Sequence, residues 1–227
     1  MSKVVLATLA EQAYRELRLR ILSGQLVGGR RLLPEELALE LSISPTPIKE
    51  ALLRLEADGL VVSPLRKGAV VRRFTIADVE ELYEARMLIE LNALDRLFRI
   101  GGVTAELLAN MRRSLEQHAL YASRHNLDDL TTALAHDREF HQQIMYAAGN
   151  LLISDWHQRI LGQTHTVFVY VAGEYADSVD QHREVLDAMA AGSQEKSLEA
   201  LRHHLARSRE KTLSNVKRMQ NTESVAP

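Results

Sequence analysis

Interior prolines are confined to the first 64 residues of this 227-residue chain, at Pro34, Pro45, Pro47 and Pro64. Proline removes a backbone donor and clashes with the preceding helical turn, so long helices form where it is absent. Residues 75–217 lack proline and keep apolar side chains three and four positions apart. This spacing predicts an all-α region.

Cap residues and glycines divide that region into six helices. Thr75 with Asp78 three residues later is typical of a capping box, and Gly101-Gly102 ends the helix over 76–99. Asn150 is expected to cap a later helix. The other helices are predicted at about 104–123, 126–148, 150–173, 177–191 and 193–217, before a disordered tail at 218–227. The predicted fold class is therefore mainly α, with a C-terminal six-helix bundle at 75–217.

Residues 1–74 predict a different unit, with 12 Lys and Arg against 8 Asp and Glu. Helices are expected at about 7–23, at 35–41 and from Pro45 to the stop at Gly59. Two short apolar strands follow, at 60–63 and 69–73, around a basic turn. Three helices and a hairpin form a winged helix-turn-helix, a DNA-binding arrangement.

The third helix is the one expected to enter the major groove. Ser44, Thr46 and Lys49 lie on the exposed side of its beginning, where they can reach phosphates or base edges. The alternative is that charged residues such as Lys49 and Arg54 are only solvated positions of an amphipathic helix. The predicted DNA-binding residues are Arg31, Ser44, Thr46, Lys49, Lys67 and Gly68.

Four ionisable residues fall on predicted apolar faces of the C-terminal helices. Asp137 and His141 are one turn apart, and His182 and His204 lie on or beside the stripes of two later helices. Each can be a separately hydrogen-bonded core residue, but burying all four is costly unless they compensate one another. One divalent cation would satisfy the whole set. The predicted cofactor is a divalent metal ion, with zinc placed first and nickel, iron or manganese as alternatives, because one carboxylate and three imidazoles suit all four; no thiolate takes part because the chain has no cysteine.

Arg86 occupies an apolar position of the helix over 76–99, whose buried face is predicted to include Val79, Leu82, Ile89 and Leu97. A buried guanidinium needs an anionic partner. Two partners are open at this stage: an internal Asp or Glu, or the carboxylate of a bound effector.

Two sets of motifs resemble known families. Residues 44–52 (SPTPIKEAL), 55–61 (LEADGLV) and 67–71 (KGAVV) resemble the DNA-binding domain of GntR-family bacterial transcription regulators. Asp137-x-x-x-His141, His182 and His204-Leu205 are similar to the metal signature of the FCD effector domain in the FadR subgroup, and six helices favour its VanR-like branch. The resemblance implies a homodimer that binds a palindromic operator in double-stranded DNA.

The resulting hypothesis is a ligand-responsive transcriptional repressor, not an enzyme, that senses a small organic or sugar acid bound by the metal and Arg86. One alternative is a metal-dependent hydrolase with an accessory DNA-binding domain, although no HExxH-type motif supplies a general base. Another is a regulator for which the metal itself is the signal. No apolar run approaches the ~18 residues of a membrane span, so a cytoplasmic protein without membrane partners is expected.

Overall fold

The computed structural model describes residues 7–22, 25–64, 68–123, 127–171 and 178–225. The chain divides into two compact units, residues 1–74 and 75–227. Within the described ranges there are nine α-helices and one two-stranded sheet, so the prediction of a mainly α fold is confirmed. Among these helices, not one has the length and apolar character that crossing a membrane requires.

The N-terminal unit is a winged helix-turn-helix. Its elements are α1 (Leu9–Leu22), α2 (Pro34–Glu40), α3 (Pro45–Ala57), β1 (Val61–Val62) and β2 (Val70–Val71). The strands are antiparallel, with Val61 opposite Val71. Leu17 of α1 is fully buried with Ile48 and Leu55 of α3. This packing leaves the opposite face of α3 exposed.

The turn between α2 and α3 depends on Ser42, whose φ of 54° is left-handed. Residues other than glycine rarely adopt a positive φ, but one residue in this conformation is enough to reverse the direction of the chain. The amide of Ile43 donates to the carbonyl of Ala38 at 3.0 Å and closes the turn. Ser44 is the N-cap residue of α3, but its side chain makes no capping hydrogen bond.

The C-terminal unit contains α4 (Ile76–Arg99), α5 (Ala105–Ala122), α6 (Leu127–Ala147), α7 (Leu151–Tyr170), α8 (Ser178–Ala190) and α9 (Gln194–Val225). Thr75 and Asp78 form the predicted capping box of α4. The Asn150 side chain caps α7 by accepting from the amide of Ile153 at 3.1 Å. The six predicted helices are thus confirmed.

The predicted end of the last helix near residue 217 is wrong, because α9 continues to Val225. Residues 218–225 are helical rather than disordered, whereas 226–227 lie outside the described residues. No glycine or proline interrupts residues 194–225, so this stretch contains no residue that breaks the helix, and Asn215 and Val216 are buried within it. The additional turns bring Arg218 to the wall of a cavity described below.

Candidate metal centre and nucleic-acid interface

Ser44, Thr46 and Lys49 are all exposed at the start of α3. The Ser44 hydroxyl is not used in a cap, so it remains available to a DNA phosphate. Lys49 Nζ lies 3.9 Å from Glu35 Oε1, and both side chains are more than half exposed. A contact of this kind is weak and screened by salt. It can therefore yield to a phosphate.

Arg31 lies beside the wing, next to Gly68. A bridge pairs Arg31 with Val70, and a Cβ added to Gly68 would lie 3.9 Å from the Arg31 guanidinium. Gly68 has a φ of 68°, a conformation that favours glycine. These two predicted DNA-binding residues are neighbours, and Lys67 lies outside the described residues.

Arg54 of α3 is directed towards α1 and is not a predicted DNA contact. Its guanidinium pairs with Glu11 and lies over the ring of Tyr14, 4.3 Å from the centroid. The Tyr14 hydroxyl donates to Asp58 at the end of α3. Burial and this hydrogen bond raise the pKa of Tyr14 to about 12. The contacts fix α3 against α1.

Among the described residues of the C-terminal unit, nine buried Arg, Asp, Glu and His side chains meet in the interior, and α4 to α9 each contribute at least one. The four predicted metal ligands are brought together, and Arg86 lies with them. Four members were missed by the sequence reasoning. The nine are Arg86, Glu90, His118, Asp137, His141, His157, His165, His182 and His204.

His182 is central to the predicted ligand set. Its Nε2 lies 3.0 Å from His141 Nε2 and 3.3 Å from Asp137 Oδ1. A possible ligand atom of His204 lies within 4.8 Å of those of His141 and His182. An ion about 2.0–2.2 Å from each donor places neighbouring donors roughly 3.0–3.5 Å apart. The donor types and their separations therefore fit a divalent metal.

Three side chains outside the predicted ligand set lie against it. Each is close to the ligand atom that would not face the ion. His165 Nε2 lies 2.7 Å from Asp137 Oδ2, and His204 Nδ1 lies 3.1 Å from Gln181 Oε1. Outer contacts of this type fix the orientation of metal ligands. The arrangement leaves Asp137 Oδ1 and His204 Nε2 available for an ion.

Glu90 provides the third outer contact, with Oε2 2.7 Å from His141 Nδ1, although the two atoms are not aligned as a hydrogen bond. Its Oε1 accepts from Arg86 Nε at 2.8 Å and lies 3.0 Å from His157 Nε2. Two partners were left open for Arg86, an internal carboxylate and the carboxylate of an effector. In the structure Arg86 is paired with the internal carboxylate of Glu90. Arg86 Nη2 still lies 3.4 Å from His141 Nε2, at the edge of the ligand set.

The predicted buried face of α4 was partly wrong. Tyr83 and Glu90 are buried, whereas Leu82 and Ile89 are only half-buried. At about 100° per residue, Leu82 and Ile89 lie on one side of Arg86 around the helix and Tyr83 and Glu90 on the other, so shifting the buried face by less than one residue exchanges the two pairs. The sequence signal that could have identified Glu90 is its four-residue spacing from Arg86, because side chains four residues apart on a helix can form an ion pair.

His118 was also missed, although it continues the apolar stripe of α5 through Met111 and Leu115. It forms a second possible ligand triad with Asp137 and His182, within 4.8 Å. Both triads share His182, and the other predicted ligands are divided between them: His141 and His204 are in one triad, and Asp137 is in the other with His118.

Burial sets the protonation states of the cluster. Desolvation lowers the pKa of His204 to about 3 and of His165 to about 4, and it lowers the pKa of His182 well below its usual value. Burial alone would raise the pKa of Asp137, but His182 and His165 lower it well below the ordinary value. Neutral imidazoles and an ionised carboxylate are the states that bind metals.

These shifts predict that the metal-free protein loses stability in acid. Below the unfolded-state pKa of about 6.5, His165 and His204 bind protons in the unfolded chain but not in the folded one. The free energy of unfolding should therefore fall from pH 6.5 towards 4, with each histidine contributing up to about 1.4 kcal/mol per pH unit. Asp137 adds to the loss at lower pH. Urea unfolding of chelator-treated protein between pH 7 and 5 measures this slope, and a flat profile would contradict it.

A cavity of about 470 Å³ adjoins the cluster. Arg86, Asp137, His165 and His204 contribute to its wall, so two of the predicted metal ligands and the predicted effector residue face one space. The side chains of α9 beyond His204 form another part of the wall. A small anion inside would be close to the guanidinium and the possible metal position.

Sequence comparison finds two family matches. Residues 9–71 match the gntR family of bacterial regulatory proteins, and residues 81–207, more than half of the chain, match the FCD domain. These segments correspond to the winged helix-turn-helix and to most of the six-helix bundle.

Similar proteins are transcriptional regulators. An uncharacterized HTH-type regulator of Streptomyces ambofaciens is 30% identical over 197 residues, 85% of this chain and 80% of that protein. The "Probable D-xylose utilization operon transcriptional repressor" of Paenarthrobacter nicotinovorans is 28% identical over 211 residues, 88% and 86% of the two chains. The gluconate operon transcriptional repressor of Bacillus licheniformis is 32% identical over 130 residues, 57% and 51%.

A solved structure has the same fold. It is described as a GntR regulator from Rhodococcus sp. RHA1, and its TM-score is 0.66 at 24% identity, with 90% of this chain and 97% of that one covered. The likeness supports the assignment of both units to one known architecture.

Proposed function

Because this chain belongs to the GntR family of bacterial transcriptional regulators and carries an FCD domain, we propose that it is a metal-containing repressor controlled by a small organic or sugar acid. The chain is a regulator and not an enzyme, so the hydrolase hypothesis is set aside. What carries the proposal is the position of Asp137, His141, His182 and His204 beside a cavity that Arg86 also lines.

The proposed ion is zinc, with nickel, iron or manganese as alternatives, held by Asp137 Oδ1 and by His141, His182 and His204. Three imidazoles and one carboxylate suit any of these metals. When bound, the ion supplies a positive, Lewis-acidic position for an acidic ligand. Arg86 then offers its guanidinium edge to the same ligand carboxylate while Glu90 holds the guanidinium in place.

An acid is proposed as the effector because the wall combines Arg86 with potential metal ligands. The names of two relatives, which regulate a D-xylose utilization operon and a gluconate operon, support a sugar or a sugar acid and the role of repressor. An effector controls DNA binding only if it prefers one conformation of the protein by a few kcal/mol.

On the DNA side, we propose a homodimer that binds a palindromic operator through two copies of α3. Ser44, Thr46 and Lys49 would contact base edges or phosphates, since all three are exposed at the start of the helix. Arg31, Lys67 and Gly68 would contact the backbone beside the wing.

Replacing Lys49 with alanine is expected to weaken operator binding. If Lys49 contacts a phosphate, the variant should lose the same affinity for every DNA sequence, and the slope of log K against log salt should be smaller by about one. If Lys49 contacts a base, the loss should be about 1–3 kcal/mol of binding free energy and should relax the preference at one base pair of the operator. Fluorescence anisotropy on the DNA upstream of the gene, at several salt concentrations, separates these results. Arg15→Ala is the matched control, because Arg15 is exposed on α1 and paired with Glu11. Equal affinity of Lys49→Ala and wild type would exclude the contact.

The proposed function is tested by measuring thermal stability and operator binding with a panel of carboxylic and sugar acids, with and without a chelator. An acid present at 100 times its Kd should stabilise the protein by about 2.7 kcal/mol and release the operator. Both effects should disappear with the chelator. If metal alone releases DNA and no acid does, the metal is the signal. If no condition changes operator binding, the proposal is wrong.

A further inference from the structure

Glu35 of α2 places an exposed carboxylate next to Lys49, a proposed DNA contact on α3. Glu35 Oε1 lies 3.9 Å from Lys49 Nζ, and the two side chains are 69% and 61% exposed. Double-stranded DNA carries one negative charge per ~1.7 Å of its axis, so a carboxylate at this surface repels the phosphates. It lowers the affinity for every sequence unless it also accepts a hydrogen bond from a base.

Lys49 by itself is a weak source of sequence discrimination. A lysine ammonium is a point charge on a flexible stem and lacks the planar fork with which arginine binds two acceptors at once. An acceptor beside the ammonium adds information, because a neighbouring donor and acceptor fit only some base edges. Glu35 supplies this acceptor, since a carboxylate has two oxygens and can contact Lys49 and a base together.

The major-groove edge of a G·C pair matches this neighbouring donor and acceptor. It presents the N7 and O6 acceptors of guanine next to the N4 donor of cytosine. O6 and N4 are joined by a base-pairing hydrogen bond and so lie about 3 Å apart. This distance is comparable with the 3.9 Å between Lys49 Nζ and Glu35 Oε1. In an A·T pair the N6 donor of adenine lies between two acceptors, N7 and the O4 of thymine, which repel a carboxylate.

We propose that Glu35 is a specificity-determining residue: together with Lys49 it recognises one G·C pair in each half-site of the operator. The Lys49 ammonium donates to guanine, and the Glu35 carboxylate accepts from N4 of cytosine. This inference rests on the proposed operator binding and adds the base pair that the two residues recognise together. It assigns Lys49 to a base rather than to a phosphate.

The test selects binding sequences from a pool of randomised DNA duplexes with the full-length protein. Fluorescence anisotropy then measures the affinity for the selected duplex and for its single-base-pair variants. Replacing the recognised G·C pair of one half-site by A·T should weaken binding to the wild type about tenfold. Glu35→Gln should lose this preference, because the amide also carries donors and no longer disfavours the acceptors around adenine N6. Lys49→Ala should lose the preference at the same base pair.

Glu36→Gln is the matched control, because Glu36 is exposed in the same turn of α2 and its replacement removes the same charge. This variant should keep the tenfold preference, and equal melting temperatures would show that all the variants fold. If Glu35→Gln keeps the wild-type preference, or binds every duplex more tightly by the same factor, Glu35 only screens Lys49 and the inference is overturned. If the wild type selects no sequence, the proposed operator binding itself fails.

Discussion

Replacing His182 with alanine is expected to remove metal binding at neutral pH. Its Nε2 lies closest to two other proposed ligands, 3.0 Å from His141 Nε2 and 3.3 Å from Asp137 Oδ1. Loss of a group that merely orients a ligand costs about 10–100-fold in metal affinity, so loss of a ligand should cost more than about a hundredfold. Competition with a chelating dye measures the affinity, and elemental analysis of the purified protein measures the bound metal.

His203→Ala is the control for this variant. His203 is exposed on α9 and directly precedes His204, so its replacement removes a histidine next to a proposed ligand without touching the cluster. The chelator should lower the melting temperature of wild type and of His203→Ala but not that of His182→Ala, because only bound metal stabilises the folded state. Equal metal content in all three proteins would contradict the assignment.

Replacing Glu90 with alanine is expected to cost about 3–5 kcal/mol of the free energy of unfolding, the usual result when one member of a buried ion pair is removed. Glu90 and Arg86 are 1% and 3% exposed, and their contact is 2.8 Å. The pKa of Glu90 lies well below its usual range: burial acts against this, but the charges of Arg86 and His141 outweigh it. The carboxylate is therefore ionised, and its loss leaves the guanidinium without this partner.

Urea unfolding of chelator-treated protein measures the Glu90 effect without a contribution from metal. Glu84→Ala is the matched control, since Glu84 is exposed on the same helix, and it should change stability by less than about 0.5 kcal/mol. A double variant, Arg86→Met with Glu90→Leu, should recover most of the loss because it removes both members of the ion pair and leaves neither charge buried without the other. A loss below about 1 kcal/mol for Glu90→Ala would show that the guanidinium finds another partner or water.

Helical periodicity singled out Asp137, His141, His182 and His204 as candidate ligands, since each lies on or beside an apolar stripe of its helix. The same method missed His118, although it continues the stripe of α5. It missed His157 and His165 because their helix, α7, has many apolar residues and so no distinct face on which a histidine stands out. Periodicity identifies a polar residue only by contrast with its neighbours.

Local chemistry along the chain determined the helices, their caps and the helix-turn-helix, because hydrogen bonds to nearby residues and the three- and four-residue spacing are properties of the sequence itself. Tertiary packing decided which atoms meet: Arg86 with Glu90, Glu90 with His141, and His165 with Asp137. It also brought side chains of α9 from His204 onwards to the wall of the cavity. Two of these contacts join different helices, and the contact between Arg86 and Glu90 depends on which face of α4 is buried. Burial among the other helices removes these side chains from water, and this is why they form ion pairs or candidate metal ligands.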